Sequence, residues 1–167
     1  MATTFKLEHD FPDISLAKFT AHLNDPKLNR MLEQGLSFDE RKLMKRKEGP
    51  NAIEWQFHVK KRGDLPAAIK RIINNDAFGW LENSRFVRAE NCVYWEINSE
   101  SKVLRFTGAG VWKLMPNGNG CKRIIEGKIS VDIPIIGRMI ESFIVNELVK
   151  SYEIEPSIQA RFYADIA

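Results

Sequence analysis

Apolar and polar positions alternate at the start of the chain. Phe5, Leu7, His9 and Phe11 are interleaved with Lys6, Glu8 and Asp10, which predicts a half-buried strand over Thr3 to Phe11. Pro12-Asp13 ends that pattern, and Asp13 or Ser15 can cap a short helix carrying Ile14, Leu16, Ala17, Phe19 and Leu23. Asn24-Asp25-Pro26 closes it and opens a second short helix through Leu28, Met31 and Leu32, ended by Gly35. Two extended segments follow, Phe38 to Lys47 and Ala52 to Arg62, joined by the turn-forming Glu48-Gly49-Pro50-Asn51. In the second of them Ile53, Trp55, Phe57 and Val59 share one face. Leu65, Ile69, Ile72 and Ile73 have helical spacing over Asp64 to Asn75, with Asp64 as cap and Pro66 in the first turn.

Strand patterning then returns as a predicted three-stranded meander: Phe86 to Ile97, Lys102 to Met115 and Cys121 to Ile133. Pairing Ile97 with Lys102 aligns Trp95 with Leu104 and Val93 with Phe106, and pairing Trp112 with Ile125 aligns the second strand with the third. In this register Asn91 points inward, and Gly108, Gly110 and Gly127 fall on the buried face. Glycines there mark either a sheet curled around space or a helix packed onto bare backbone. The last segment, from Pro134 onward, is helical. Ile136, Met139, Ile140, Phe143, Ile144 and Leu148 form a broad apolar face, Val145, Val149 and Tyr152 lie opposite, and Pro156 should kink or break the helix near Glu155.

This order, one strand, two short helices, a run of about six strands and a long terminal helix, resembles the α+β helix-grip plan of the START-like (SRPBCC) superfamily, a sheet of about six or seven strands in all. The helix beginning Asp64-Leu65-Pro66 and the junction Ile133-Pro134-Ile135-Ile136-Gly137-Arg138-Met139-Ile140-Glu141 are similar to an uncharacterised bacterial branch of it. The resemblance implies a curved antiparallel sheet wrapped around the C-terminal helix, with a cavity between them. The junction also has a plain structural meaning. Pro134 stops the ladder, Gly137 allows close approach to the sheet, and Arg138 can pair with Glu141 at i,i+3.

Composition narrows the picture. At 167 residues and 19.2 kDa, one domain spanning 1–167 is the economical reading, and 44% hydrophobic with 28% charged residues excludes disorder. With no leader-like N-terminus and no long apolar run, a cytoplasmic protein is expected. A net charge of +3 is too small for a nucleic-acid binder. The basic runs Arg41-Lys42, Lys45-Arg46-Lys47 and Lys60-Lys61-Arg62 guard a sheet edge, or alternatively make transient contact with an anionic membrane surface. Cys92 and Cys121 lack metal-ligand spacing, and the meander register separates them by about nine positions, roughly 30 Å of strand, too far for a disulfide.

Motif chemistry is sparse: no GxSxG, HExxH or phosphate loop occurs, so no catalytic residue, metal or cofactor is assigned. His9 lies on the apolar face of its strand. Glu147 falls in the helix sector of Ile136, Ile140 and Phe143, where a carboxylate needs a partner; Asn91 and Arg123 are candidate companions for it or for a ligand head group, and Lys150 or Ser151 are local ones. Trp55, Phe57, Trp95, Phe106 and Trp112, with Met139 and Phe143 from the helix, make up the apolar part of the candidate cavity. With the superfamily resemblance, these residues lead to the expectation of a protein that binds or transports a hydrophobic small molecule or lipid. The alternatives are a cyclase- or aromatase-like enzyme using Glu147 or His9 as acid or base, and a ligand-free partner-binding module with a filled core.

Overall fold

In a computed structural model, residues 2–36, 38–61, 65–73 and 78–167 are described. Strand β1 (Thr3–Phe11) leads into helices α1 (Leu16–Ala21) and α2 (Pro26–Gly35). The hairpin β2 (Glu40–Glu48) and β3 (Ala52–Lys61) follows, then α3 (Ala67–Ile73). Strands β4 (Phe78–Val87), β5 (Cys92–Ser99), β6 (Phe106–Asn117) and β7 (Gly120–Val131) complete the sheet, and α4 (Gly137–Asp165) ends the chain. The sheet is antiparallel throughout in the order β1-β7-β6-β5-β4-β3-β2, so the first strand closes one edge and the basic strand β2 forms the other. This is the helix-grip arrangement. The inward side chains of the sheet and α4 form one core, in which Phe57, Phe86, Val93 and Ile129 of the strands and Ile140 and Ile144 of the helix are almost fully buried.

The short helices start where their caps allow. Ser15, not Asp13, accepts from the Lys18 N–H, and Asp25 accepts from the N–H groups of Lys27 and Leu28, with Pro26 in the first turn. At the strand-to-helix junction a Cβ on Gly137 would stand 2.9 Å from the Val131 carbonyl oxygen, so only glycine lets the first turn of α4 sit this close. Glu141 is buried there and accepts from Thr3 Oγ1 and from the Val131 N–H, both at 2.9 Å, which ties α4 to both β1 and β7. Helix α4 continues through Pro156 instead of breaking. Its outer side is less enclosed than its apolar composition suggests, since Met139 and Ile154 are both more than two-fifths exposed.

Three expectations are corrected. The stretch read as one strand, Phe86 to Ile97, is the end of β4 and the start of β5, joined by a turn at residues 88–91 in which Asn91 has a positive φ of 50°. The meander therefore has four strands, and Asn91 sits in the turn, accepting from the Leu114 N–H through its carbonyl. Second, Ile97 pairs with Gly108 and Val93 with Trp112, because residues 100–105 form a connection longer than the expected turn; Trp112 does pair with Ile125. The displacement is an even number of residues, so the buried faces are preserved even though the partners change. In this register Cys92 and Cys121 are only three positions apart along the sheet and two strands across; both are free and buried. Third, the space over the glycines is occupied by side chains of the sheet itself. A Cβ on Gly110 or Gly127 would stand 2.5 Å from Trp95 Cζ2, and Phe5 stacks on the Trp95 ring at 6.2 Å. The ends of the helix expected over Asp64 to Asn75 lie outside the described residues, as does Arg62.

Candidate functional site

The space between the sheet and α4 divides into two. A cavity of about 90 Å³ lies under α1, α2 and the second half of α4, walled by Trp55 and Trp112 and lined by Arg41, Glu82, Arg123, Tyr152, Glu155 and Gln159. That volume holds a few waters or a small guest. The second pocket, of about 20 Å³, is apolar and essentially filled: Phe78, Trp80, Phe106, Ile144 and Phe143 close it, with Glu147 at its end. On the opposite, solvent side of the sheet a wide open depression of about 680 Å³ is bordered by Lys45, Lys47, Glu54 and Tyr94.

The polar side of the cavity follows from strand alternation. Glu82 stands on β4 between Trp80 and Ser84 on the inward face, Arg123 on β7 between Cys121 and Ile125, and Arg41 on the edge strand opposite Val59. Arg123 is 2% exposed and stands on β7, flanked by β1 and β6. Its Nη1 donates to Glu155 at 2.8 Å and its Nη2 to His9 Nδ1 at 3.4 Å. The rings of Phe11, Trp112 and Tyr152 surround its guanidinium at 5.4–5.5 Å. Arg41 lies on the face of Phe57 at 3.9 Å and donates to Asn29 at 3.2 Å.

Burial sets the protonation of this group. It pushes the Glu82 carboxyl above the usual carboxylate range, with Arg41 only partly opposing it. It also raises the Tyr152 hydroxyl, which stays protonated. His9 is lowered by burial and then by Arg123, and because arginine only donates, His9 meets it through an unprotonated Nδ1. Three buried polar atoms of cavity-lining residues, Arg123 Nε, Gln159 Oε1 and Asn24 Nδ2, have no partner among the described residues.

The expected site residues are distributed unevenly. Trp55 and Trp112 line the polar cavity. Phe57 is buried beneath Arg41, and Trp95 is packed over Gly110 and Gly127. Phe106, Phe143 and Glu147 belong to the filled pocket. Met139 is 45% exposed and Asn91 lies in the β4–β5 turn, so neither is placed at the cavity. Glu147 is hydrogen-bonded by Lys61 and by Lys150, the latter at 3.1 Å. Burial raises its carboxyl, but these two bonds outweigh it and leave the group below its usual value. Arg41, Glu82, Tyr152, Glu155 and Gln159 were not anticipated. The available signal was a charged residue at an inward strand position, Glu82 between Trp80 and Ser84.

Among the described residues no three His, Cys, Asp or Glu side chains are grouped to hold a metal ion, and no helix is long and apolar enough to cross a membrane. The fold is shared with solved structures at low identity. A protein from Thermus thermophilus, TTHA0849, is 14% identical with a TM-score of 0.66, covering 99% of this chain and 100% of that one. The Zhui aromatase/cyclase from Streptomyces sp. R1128 is 8% identical with a TM-score of 0.61, covering 97% and 96%. A START superfamily protein from Mycobacterium smegmatis is 12% identical with a TM-score of 0.52, covering 95% and 97%. No curated protein matches the sequence. Residues 6–162 match the family described as Protein of unknown function (DUF2505), and the chain belongs to that family.

Proposed function

We propose that this protein binds, and by exchange transports, a small and largely apolar molecule in the cavity between the sheet and α4. The observation that carries this reading is an interior with aromatic walls at Trp55 and Trp112 and with buried polar atoms left unpartnered at Arg123 and Gln159. An unmet buried donor or acceptor costs about 1–3 kcal/mol, which a guest can return only where there is space beside it; the indole N–H groups of Trp80 and Trp95 are unmet as well, but lie in the filled part of the core. Burial of the guest's apolar surface would supply the main driving force, at about 25 cal/mol per Å² before ordering costs, and the polar groups would orient it. That similar folds occur in proteins described as an aromatase/cyclase and a START superfamily member adds support from analogy.

Native mass spectrometry of the purified protein, followed by organic extraction and identification of what is released, tests the reading. A stoichiometric small guest is expected. A bare mass in repeated preparations, together with no binding from a library of small amphipathic compounds, would replace it with the partner-binding module.

A further inference from the structure

The polar groups of the cavity define what kind of guest it accepts, and this inference rests on the ligand-binding reading above. Four formal charges face the space: Arg41 and Arg123, Glu82 and Glu155. Counted as ionised groups they cancel, two cations against two carboxylates. Only one direct ion pair forms among them, Arg123 with Glu155 at 2.8 Å. Among the described residues Arg41 has spent a single side-chain N–H, on Asn29. Glu82 lies beside Ser84 on the inward face and feels Arg41 across a gap, with no cation within ion-pair distance among the described residues.

What is left over has both signs of hydrogen-bonding capacity. Arg123 Nε and Asn24 Nδ2 are donors without acceptors, and Gln159 Oε1 is an acceptor without a donor. All three belong to residues that line the same cavity, and Arg123 and Gln159 are more than nine-tenths buried. A hydrocarbon guest would leave every one of them unmet. A carboxylate would answer the donors but face Glu82 and Glu155 and leave Gln159 without a donor.

We infer that the cavity selects a guest carrying a neutral group that both donates and accepts hydrogen bonds, of the carboxamide type, in preference to a carboxylate or a plain hydrocarbon. The acceptor oxygen of such a group takes the Arg123 side, and its N–H serves Gln159 or Glu82. The rest of the guest lies between Trp55 and Trp112.

Titration of the full chain with benzamide, benzoate and toluene, followed by the shift of the tryptophan indole resonances, tests this. Benzamide is expected to bind about tenfold or more tightly than either of the others, the factor that one well-made hydrogen bond to a buried charged group supplies. Gln159→Leu should erase most of that preference, while the surface variant Lys128→Gln should keep it. Equal or tighter binding of toluene or benzoate overturns the inference but leaves the cavity as a binding site. If none of the three binds, the ligand-binding reading falls and this inference falls with it.

Discussion

Replacing Glu155 by alanine leaves the Arg123 guanidinium in the interior without its carboxylate. The Arg123 side chain is 3% exposed and that of Glu155 14%, so the pair is screened little by water. Removing one member of such a pair costs about 3–5 kcal/mol. Here the cation keeps Phe11, Trp112 and Tyr152 around it at 5.4–5.5 Å. Those rings return part of the loss, so about 2–3 kcal/mol is expected for Glu155→Ala. For a chain of this length that is a fall in Tm of about 4–12 °C. Replacing both members, Arg123→Met with Glu155→Leu, removes the buried charges together and should bring stability back to within about 1 kcal/mol of the parent or above it. Urea unfolding followed by tryptophan fluorescence measures all three proteins, with a common m-value as the check that the folded states are comparable. A stable double variant that no longer binds benzamide would mean the pair is retained for binding. A cost below about 1 kcal/mol for Glu155→Ala would refute the premise that the pair is screened from water, and a double variant as unstable as the single would refute the claim that the charges are a burden to the fold.

Glu82 gives a pH-dependent counterpart. Its carboxyl is raised in the folded state, so its favourable contribution is present below the ordinary carboxylate range and is lost as pH rises through the raised value. Glu82→Gln is therefore expected to raise Tm near neutrality by about 2–4 °C, with the gain shrinking toward pH 4; a gain that does not vary with pH would contradict this origin. The sign reverses for Glu147, held below its usual value despite its burial by hydrogen bonds from Lys61 and Lys150. Glu147→Gln should be less stable than the parent at pH 7, and the difference should vanish as acid protonates the carboxylate. Unchanged benzamide affinity in that variant would separate Glu147 from the binding site. Gly110→Ala would place a Cβ 2.2 Å from the Glu126 carbonyl oxygen, so a loss of about 1–3 kcal/mol in urea unfolding is expected, and a neutral result would mean the β6–β7 seam yields. On the edge strand, Lys45→Val with Lys47→Val should leave the circular dichroism spectrum intact and raise concentration-dependent association in light scattering; no increase would deny these lysines a role in protecting the edge.

Much of the architecture was legible because alternation and helical periodicity are local. The alternation of Phe5, Leu7, His9 and Phe11 located β1, and Asn24-Asp25-Pro26 located the boundary between α1 and α2. The β4–β5 turn was missed because Arg88-Ala89-Glu90-Asn91 carries neither Gly nor Pro; the left-handed residue there is Asn91, and asparagine is a weaker signal than glycine. The β5–β6 register failed at a connection whose length is set by tertiary contact: Leu104 is fully buried within it, and the Ser101 and Ser99 hydroxyls accept from the N–H groups of Leu104 and Phe106. Trp55 and Trp112 were legible as cavity candidates from their inward positions, whereas Arg123 was read only as a companion for Glu147 or a head group and pairs with Glu155 instead. Arg41 was read as one of a solvated basic run, because on the sparsely apolar strand β2 nothing in the sequence tells the inward side chain from the outward ones. Glu155 and Gln159 face the cavity from the second half of α4, where polar and apolar residues are interleaved and the helical pattern does not single out an inward side.

The four tryptophans, Trp55, Trp80, Trp95 and Trp112, provide the most direct measurement. Trp55 and Trp112 wall the polar cavity, Trp80 lies in the filled pocket, and Trp95 is sealed against Gly110 and Gly127. Indole N–H resonances recorded while a guest is added, either benzamide or whatever extraction releases, should show Trp55 and Trp112 moving together in a saturable way while Trp95 stays fixed. Saturable binding that leaves Trp55 and Trp112 unmoved would place the guest elsewhere and contradict the account.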